Sequence, residues 1–580
     1  MRPLDRNLPT LAGFATALVA LAAAVALNLA FWWVQGRPQD IPDAVSSEGG
    51  PARIKSASFS PYRSGQSPFA QPFTRAQLEE DVAFAAKHFE RIRTYANRAQ
   101  FAPVPELAQK HGLKVILGAW VGANLKDNEL EIAGLIKLAN DYPDTVERVV
   151  VGNEVLLRRE ITPELLIDYI RRVKAAVKQP VTYADVWAYW LENPKVAAEV
   201  DSITIHILPY WENTPTPLDG VIPHMLEAHA KIAAAYPGKP ILIGEIGWPS
   251  AGRVRKDAVP GRVAQARFVR EIINTAHDKG IDYNIFELFD EPWKFGQEGT
   301  VGGNWGLVDL GRHMKFPLTG PVSEKPYWLL AFWLSSGAAA LLCALALFLR
   351  PPQGFGRTAL VALAGQGLCT LLAVSAEQSL RLAFGVGGVI GGVLMTGGGA
   401  VLCLLVFSEL ADLATGRLPG PGPLQPVIAR LEGLRSLRFR PTGPEESWRT
   451  LAVGWLDLIF GLAALALTFG LIVDPRYRDF RVAQFLPVAL CMLVRFWATR
   501  EPPRPVGSPR EEWLLTGVFV LGAVWIPIQE GWVNQAAWAW SATLLLLALP
   551  WGLSIRRQGQ AIRLGQAERP ADTPAGGQAD

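Results

Sequence analysis

Eight long apolar runs constrain this chain more than any other feature. Residues 11 to 34, LAGFATALVALAAAVALNLAFWWV, carry no charge; as a helix the run rises roughly 36 Å, enough to cross a bilayer core. The rival reading is a cleaved signal peptide, with Ala22, Ala23 and Ala24 as small residues. A signal h-region is only about 7 to 15 residues, however, and this run continues to Phe31, Trp32 and Trp33. It therefore reads as an uncleaved transmembrane anchor with its Trp pair at the far interface. After residue 326 the runs return at about 327–349, 358–377, 384–408, 451–473, 483–498, 513–530 and 535–554, a seven-helix membrane domain over 327–554. The composition agrees: 50% hydrophobic and 19% charged residues with mean hydropathy +0.17 are too apolar for a wholly soluble chain of this size.

The arginines orient these helices. Arg2 and Arg6 precede the anchor, which puts residues 1–10 in the cytoplasm and everything after residue 35 outside. Threading eight helices from there assigns Arg350, Arg357, Arg417, Arg430, Arg435, Arg438, Arg440, Arg449, Arg500, Arg504, Arg510, Arg556, Arg557, Arg563 and Arg569 to the cytoplasmic side. The outside loops then hold only Arg381, Arg476, Arg478 and Arg481. Loop 411–450 and a disordered tail at 555–580 are accordingly cytoplasmic. The short run 483–498 ends near Arg495, which is expected to snorkel to the interface. Asp457 reads as an interfacial or helix-packing residue rather than a pathway residue. The small residues of GVGGVIGGVLMTGGG (385–399) favour close helix packing over a glycan path.

A net charge of +3, from 56 Lys+Arg against 53 Asp+Glu, lacks the concentrated positive charge of a nucleic-acid binder, so none is expected as a partner. Cys343, Cys369, Cys403 and Cys491 all lie in apolar stretches and form no CxxC or disulfide framework.

Between residues 51 and 320, after a linker at 35–50, the composition is that of a globular domain near the ~250 residues of a (β/α)8 barrel. Short β-branched or apolar runs recur at 55–60, 90–95, 113–120, 146–152, 180–187, 202–208, 240–246 and 283–289. Helix-like stretches such as TPELLIDYIRRVKAAVK separate them, with Thr162-Pro163 as a cap followed by Pro at the first helical position. The pattern predicts an α/β fold, a TIM barrel flanked by the anchor and the C-terminal helical membrane domain. A doubly wound open sheet is the alternative, but SFSPYRSGQ after the first run is no Gly-rich phosphate loop.

Barrel chemistry sits at the C-terminal ends of strands. Glu154, with Asn153 beside it, ends the fourth run in VVVGNEV, and Glu245 ends the seventh in LIGEIGWPS. Two carboxylates facing across a barrel mouth suit glycosidic bond cleavage, one protonating the leaving oxygen and the other attacking or stabilising the anomeric carbon. Tyr62, Tyr95, Trp120, Trp187, Tyr189, Trp190, Tyr210, Trp211, Trp248, Trp293 and Trp305 cluster near the same ends. Aromatic faces with polar neighbours suit a carbohydrate groove, and Trp248, just past Glu245, is the leading platform candidate. His206 reads as a strand-end histidine or a sugar contact. No HExxH pairing occurs, so no metal and no cofactor are expected.

The strings VVVGNEV and GEIGWPS, with FELFDEPWK and WGL downstream, resemble glycoside hydrolase family 17, retaining β-1,3-glucan enzymes with a (β/α)8 fold. The resemblance covers about 50 to 320. It implies Glu154 as acid/base, Glu245 as nucleophile, and Glu291 and Lys294 beside the nucleophile. The family's further Glu before the aromatic-Gly-Leu motif is displaced: Glu298 is near, but Gly302, Gly303 and Asn304 directly precede Trp305. The anchor, barrel and polytopic half together resemble bacterial membrane proteins called β-(1,6)-glucan synthases. That likeness implies a bacterial inner-membrane protein with a periplasmic barrel, acting on β-glucan. A nucleotide-sugar synthase would need cytoplasmic acidic residues for a metal diphosphate, yet loop 411–450 has no DxD and QxxRW is absent. Any synthesis would then be transglycosylation by the barrel. A plain endo-β-1,3-glucanase and a glucan-binding module of an export protein are the alternatives.

Overall fold

The eight short runs become eight strands: β1 (Ile54–Ser58), β2 (Phe89–Arg93), β3 (Lys114–Ala119), β4 (Val146–Asn153), β5 (Val181–Val186), β6 (Ile203–Ile207), β7 (Ile241–Ile246) and β8 (Asp282–Ile285). Each pairs in parallel with the next and β1 closes on β8, which excludes the open-sheet alternative. The structure, a computed structural model, describes residues 11–45, 53–349, 355–415, 424, 447–498 and 510–567. The chain divides into two compact units. The barrel unit comprises Arg37–Glu324 with Arg476–Asp479, and the helical unit holds the remainder.

Local chemistry explains the barrel's outer helices. Thr74 caps Arg75–His88 in a reciprocal box with Gln77, and Thr162 caps Pro163–Ala176 with Pro163 at its first position. Helix Arg262–Lys279 stops at Gly280, whose φ of 66° a side chain would resist. Val, Ile and Leu side chains of the strands pack outward against these helices. Inside, Ile116, Val150, Ala184 and Leu242 form a small separate apolar plug.

The inward face of β2 carries two guanidinium groups, one toward each end of the lumen. Arg91 pairs with Glu147 (2.6 Å) and with Asp282, at the start of β8. Arg93, two residues on, stands where the strands end and where chemistry is expected. The expected linker is not free: Gln39 bridges to Val322, and Asp43 accepts a hydrogen bond from the Gly320 N–H at 2.6 Å.

In the helical unit, seven helices among the described residues are long and apolar enough to cross a membrane: Leu11–Gly36, Trp328–Leu349, Phe355–Arg381, Gly385–Ala414, Trp448–Val473, Arg510–Glu530 and Gln535–Ala567. Val482–Ala498 is a shorter apolar helix with Pro487 inside it. Two expectations change. Arg495 does not snorkel; its Nε lies 2.7 Å from Oε2 of Glu409, both side chains being almost wholly buried, because pairing offsets the cost of withdrawing each charge from water. The last helix runs to Ala567, past the expected end at 554 and into the segment read as a disordered tail. Asp457 accepts a hydrogen bond from the Trp551 indole at 3.3 Å, a helix-packing contact. A Cβ on Gly399 would come within 3.3 Å of Phe460 and one on Gly392 within 3.3 Å of Ser379, so these glycines serve close packing, while Gly387, Gly391 and Gly397 face open space. Residues 1–10, nearly all of 416–446 and the tail from 568, with their arginines, lie outside the described residues.

Candidate active site

The fourth strand ends in a sharp reversal. Gly152 has φ +84° and Glu154, without glycine's freedom, has φ +50°, while the Glu154 N–H donates to the Ala184 carbonyl of β5 at 2.8 Å. A left-handed glutamate costs of order 1–2 kcal/mol, so the surrounding contacts hold it there. Its carboxylate faces Glu245 of β7, and an oxygen of each, with a ring nitrogen of His206, lie within 4.8 Å of one another.

Arg93 organises this group. Its Nη1 donates to the Gly244 carbonyl (2.6 Å) and to Oε1 of Glu245 (3.1 Å), and its Nη2 donates to Oδ1 of Asn153 (2.6 Å). The Tyr95 hydroxyl is 2.9 Å from both Ser58 Oγ and Glu245 Oε1, and burial beside that carboxylate holds the phenol well above its usual range. Burial also raises Glu154, although Arg158 and Arg93 pull the other way. His206 Nδ1 is 2.7 Å from Glu154 Oε1, and burial depresses the imidazole to about 3, leaving it neutral. Two carboxylates and a histidine are metal-ligating types, but the Arg93 guanidinium already supplies positive charge against Glu245.

A second ionic cluster lies alongside. Lys294 Nζ donates to both oxygens of Glu287, at 2.8 and 2.6 Å, and is 2.6 Å from Glu291 Oε2. All three side chains are buried. Glu287 is raised far above the carboxylate range by burial and by Glu291, while the two carboxylates outweigh burial to raise Lys294. Glu291 and Lys294 were expected here; Glu287 was not singled out. Its signal was present as a charged residue in the apolar run YNIFELF.

Residues 56–306 match the BtgE/BtgC glycoside hydrolase domain family. A glucan 1,3-beta-glucosidase of Schizosaccharomyces pombe is 30% identical over 256 residues, 41% of this chain and 79% of that protein. The chain belongs to glycoside hydrolase family 17. A glucan 1,3-beta-glucosidase of Arthroderma benhamiae is 27% identical over 278 residues, 44% of this chain and 89% of the relative. The chain spans only 35% of the Emericella nidulans glucan endo-1,3-beta-glucosidase, to which it is 29% identical over 35% of its own length. Among solved structures, a family 17 β-1,3-glucanosyltransferase of Rhizomucor miehei is 25% identical, with 47% of this chain and 99% of that one covered and a TM-score of 0.42.

The family 17 site opens into a cleft of about 1120 Å³. Of the residues expected to bind sugar, Tyr62, Tyr95, Asn153, Trp187, His206, Glu291 and Lys294 line it together with Glu154 and Glu245. Trp248 and Tyr210 do not. Trp248 is wholly buried, its indole N–H donating to the Val259 carbonyl at 3.1 Å and its ring against Phe268 and Tyr210. Tyr210, equally buried, donates to the Arg253 carbonyl at 2.5 Å. Trp248, just past β7, is turned against Phe268 of helix Arg262–Lys279, and Tyr210, after β6, packs on it behind the cleft. Trp190 is likewise core, donating to the Thr204 carbonyl at 2.8 Å. The half-exposed Trp120, with the Arg158 guanidinium 4.6 Å from its ring centre, does face the cleft. Glu298 also reaches it, despite its displacement in sequence. Arg93 was missed; two arginines two residues apart in a strand, ERIRTY, both on the same face, were the available sign.

Proposed function

We propose that this chain is a membrane-anchored retaining β-glucan enzyme that cleaves or transfers β-1,3-linked glucosyl units outside the cytoplasmic membrane. The observation that carries the reading is the approach of Glu154 and Glu245 to within 4.8 Å. Retaining enzymes hold their carboxyl groups ≈ 5–5.5 Å apart, whereas inverting enzymes keep ≈ 6.5–9.5 Å to admit a water. The printed activities of the relatives supply the substrate class.

In this reading Glu245 attacks the anomeric carbon while Glu154, as the acid, protonates the departing glycosidic oxygen. The glucosyl ester on Glu245 then yields to a hydroxyl that Glu154, now a carboxylate, deprotonates. Tyr95 and Arg93 both bind Oε1 of Glu245, which orients the carboxylate and leaves Oε2 for attack. Water and a second sugar compete for the ester, and well-oriented acceptors outcompete water. Aromatic residues at separated points of the cleft, Trp120, Trp187 and Trp293 among them, favour an acceptor chain and hence transfer.

A time course with a purified laminari-oligosaccharide tests this. Products longer than the starting material, or new 1,6 branches, are expected, with the β configuration retained. Exclusively shorter products make the protein a plain endo-glucanase, and an inverted anomeric centre rejects the mechanism. The arginine asymmetry carries the location: reporter fusions after residues 40 and 320 should read as periplasmic, and one within 415–445 as cytoplasmic. A cytoplasmic signal at 320 overturns that location.

A further inference from the structure

The barrel unit includes four residues far from it in sequence, Arg476–Asp479, between helices Trp448–Val473 and Val482–Ala498. They lie outside the 56–306 span matched by the family, so nothing in the family 17 domain accounts for them. Arg476 and Tyr477 line the cleft.

Their seat is specific. The Thr300 hydroxyl donates to Asp479 Oδ2 at 2.6 Å, and Arg253 donates to the Arg478 carbonyl. Gly299 has φ +70°, and a Cβ there would stand 2.4 Å from the Tyr477 carbonyl oxygen, so only glycine admits the segment at that point. Arg476 Nη2 donates to the Trp211 carbonyl at 2.7 Å, and its guanidinium lies over the Trp211 ring, 4.8 Å from the centre. Tyr477 packs on the same indole at 5.9 Å, and Tyr210 is stacked on it at 6.1 Å.

This changes what Trp211 does. With a guanidinium over one face and Tyr210 stacked against it, the indole, which still lines the cleft, supports Arg476 there. What this end of the cleft offers is the Arg476 fork and the 40% exposed Tyr477. A guanidinium lining the cleft suits neighbouring sugar hydroxyls, and an exposed phenol suits the apolar face of a pyranose.

We propose that Arg476 and Tyr477 form a glucosyl-binding subsite at the Trp211 end of the cleft and set how strongly the enzyme favours longer chains. The inference rests on the glucan reading above. Its test uses the full-length protein in detergent with a graded laminari-oligosaccharide series from the disaccharide upward. In Arg476→Ala and Tyr477→Ala, kcat/KM for the long members should fall about tenfold relative to the short ones, chiefly through KM, as loss of one charged contact implies. Arg476→Lys, which keeps the charge but not the fork, and Thr300→Val, which loosens the segment from outside the cleft, should show the same trend more weakly. They also read out the subsite if an alanine variant misfolds. A loss equal at every length, or no loss, overturns the subsite while leaving the glucan reading intact. A wild type inactive on every member overturns both.

Discussion

Nδ1 of His206 stands 2.7 Å from Oε1 of Glu154, while its Nε2 faces Oε1 of Glu245 at 3.5 Å. One imidazole thus lies between the two carboxyl groups. Being neutral, it has a single N–H for two acidic neighbours. The close contact is the one at Nδ1, hydrogen-bonded to Glu154, while Nε2 is buried with no hydrogen-bond partner among the described residues. Burial raises Glu154, and Glu245 accepts hydrogen bonds from Arg93 and Tyr95. The surroundings of the two carboxyl groups thus differ, as the proposed split between an acid and a nucleophile requires.

The pH profile should reflect this. With Glu154 as the proposed acid, kcat/KM should fall as pH rises through its pKa, and that limb should lie above the ordinary 4.5. Arg158 lowers Glu154, so Arg158→Gln should move the limb to higher pH. His206, held at about 3 in the fold against 6.5 when free, contributes stability that is full above 6.5 and lost as pH falls toward 3. His206→Gln should flatten the loss of stability in that window, measured by denaturant unfolding at several pH values. An unchanged slope would count against a buried neutral ring.

The two carboxylates should fail differently. Glu154→Ala should retain turnover of an activated aryl glucoside and be rescued by azide to a β-glucosyl azide, because a good leaving group needs no acid. Glu245→Ala should lose both natural and activated donors. Mass spectrometry after a fluorosugar inhibitor should find the label on Glu245, and a label on Glu154 would reverse the roles.

Lys294→Met leaves Glu287 and Glu291 buried together without their cation. Breaking such a group costs about 3–5 kcal/mol, so a substantial fall in melting temperature is expected. Adding Glu287→Gln takes one acid group out of the buried cluster and should recover part of the loss. If the double variant melts no higher than the single one, the lysine's role is not charge compensation.

In the helical unit, Glu409→Ala removes a carboxylate paired with Arg495 and should destabilise by up to ~3–5 kcal/mol. Glu409→Leu with Arg495→Met, which removes both charges at similar volume, should approach wild-type stability in detergent melts. A double variant as unstable as the single one would show that the pair contributes more than mutual neutralisation.

Much of this architecture follows from local pattern. The repeating short runs announce eight strands, and their ends place Glu154 and Glu245 where a closed barrel opens. Runs long enough to cross a lipid core are read directly from length and apolarity. These features depend on periodicity and reach, which neighbouring residues determine.

Other features depend on which distant side chains meet. Nothing local distinguishes Trp248, buried against Phe268, from Trp120, open to the cleft, since both follow barrel strands. Arg93 could have been a rim salt bridge until barrel closure brought Gly244, Glu245 and Asn153 around its guanidinium. Arg495 is a terminal, snorkelling residue by position, but helix packing gave it Glu409. Arg476 and Tyr477 read as outside-loop residues with no tie to a cleft more than 100 residues earlier in the chain. A strand's alternation says that a side chain points inward; only register, closure and long-range packing decide what it finds there.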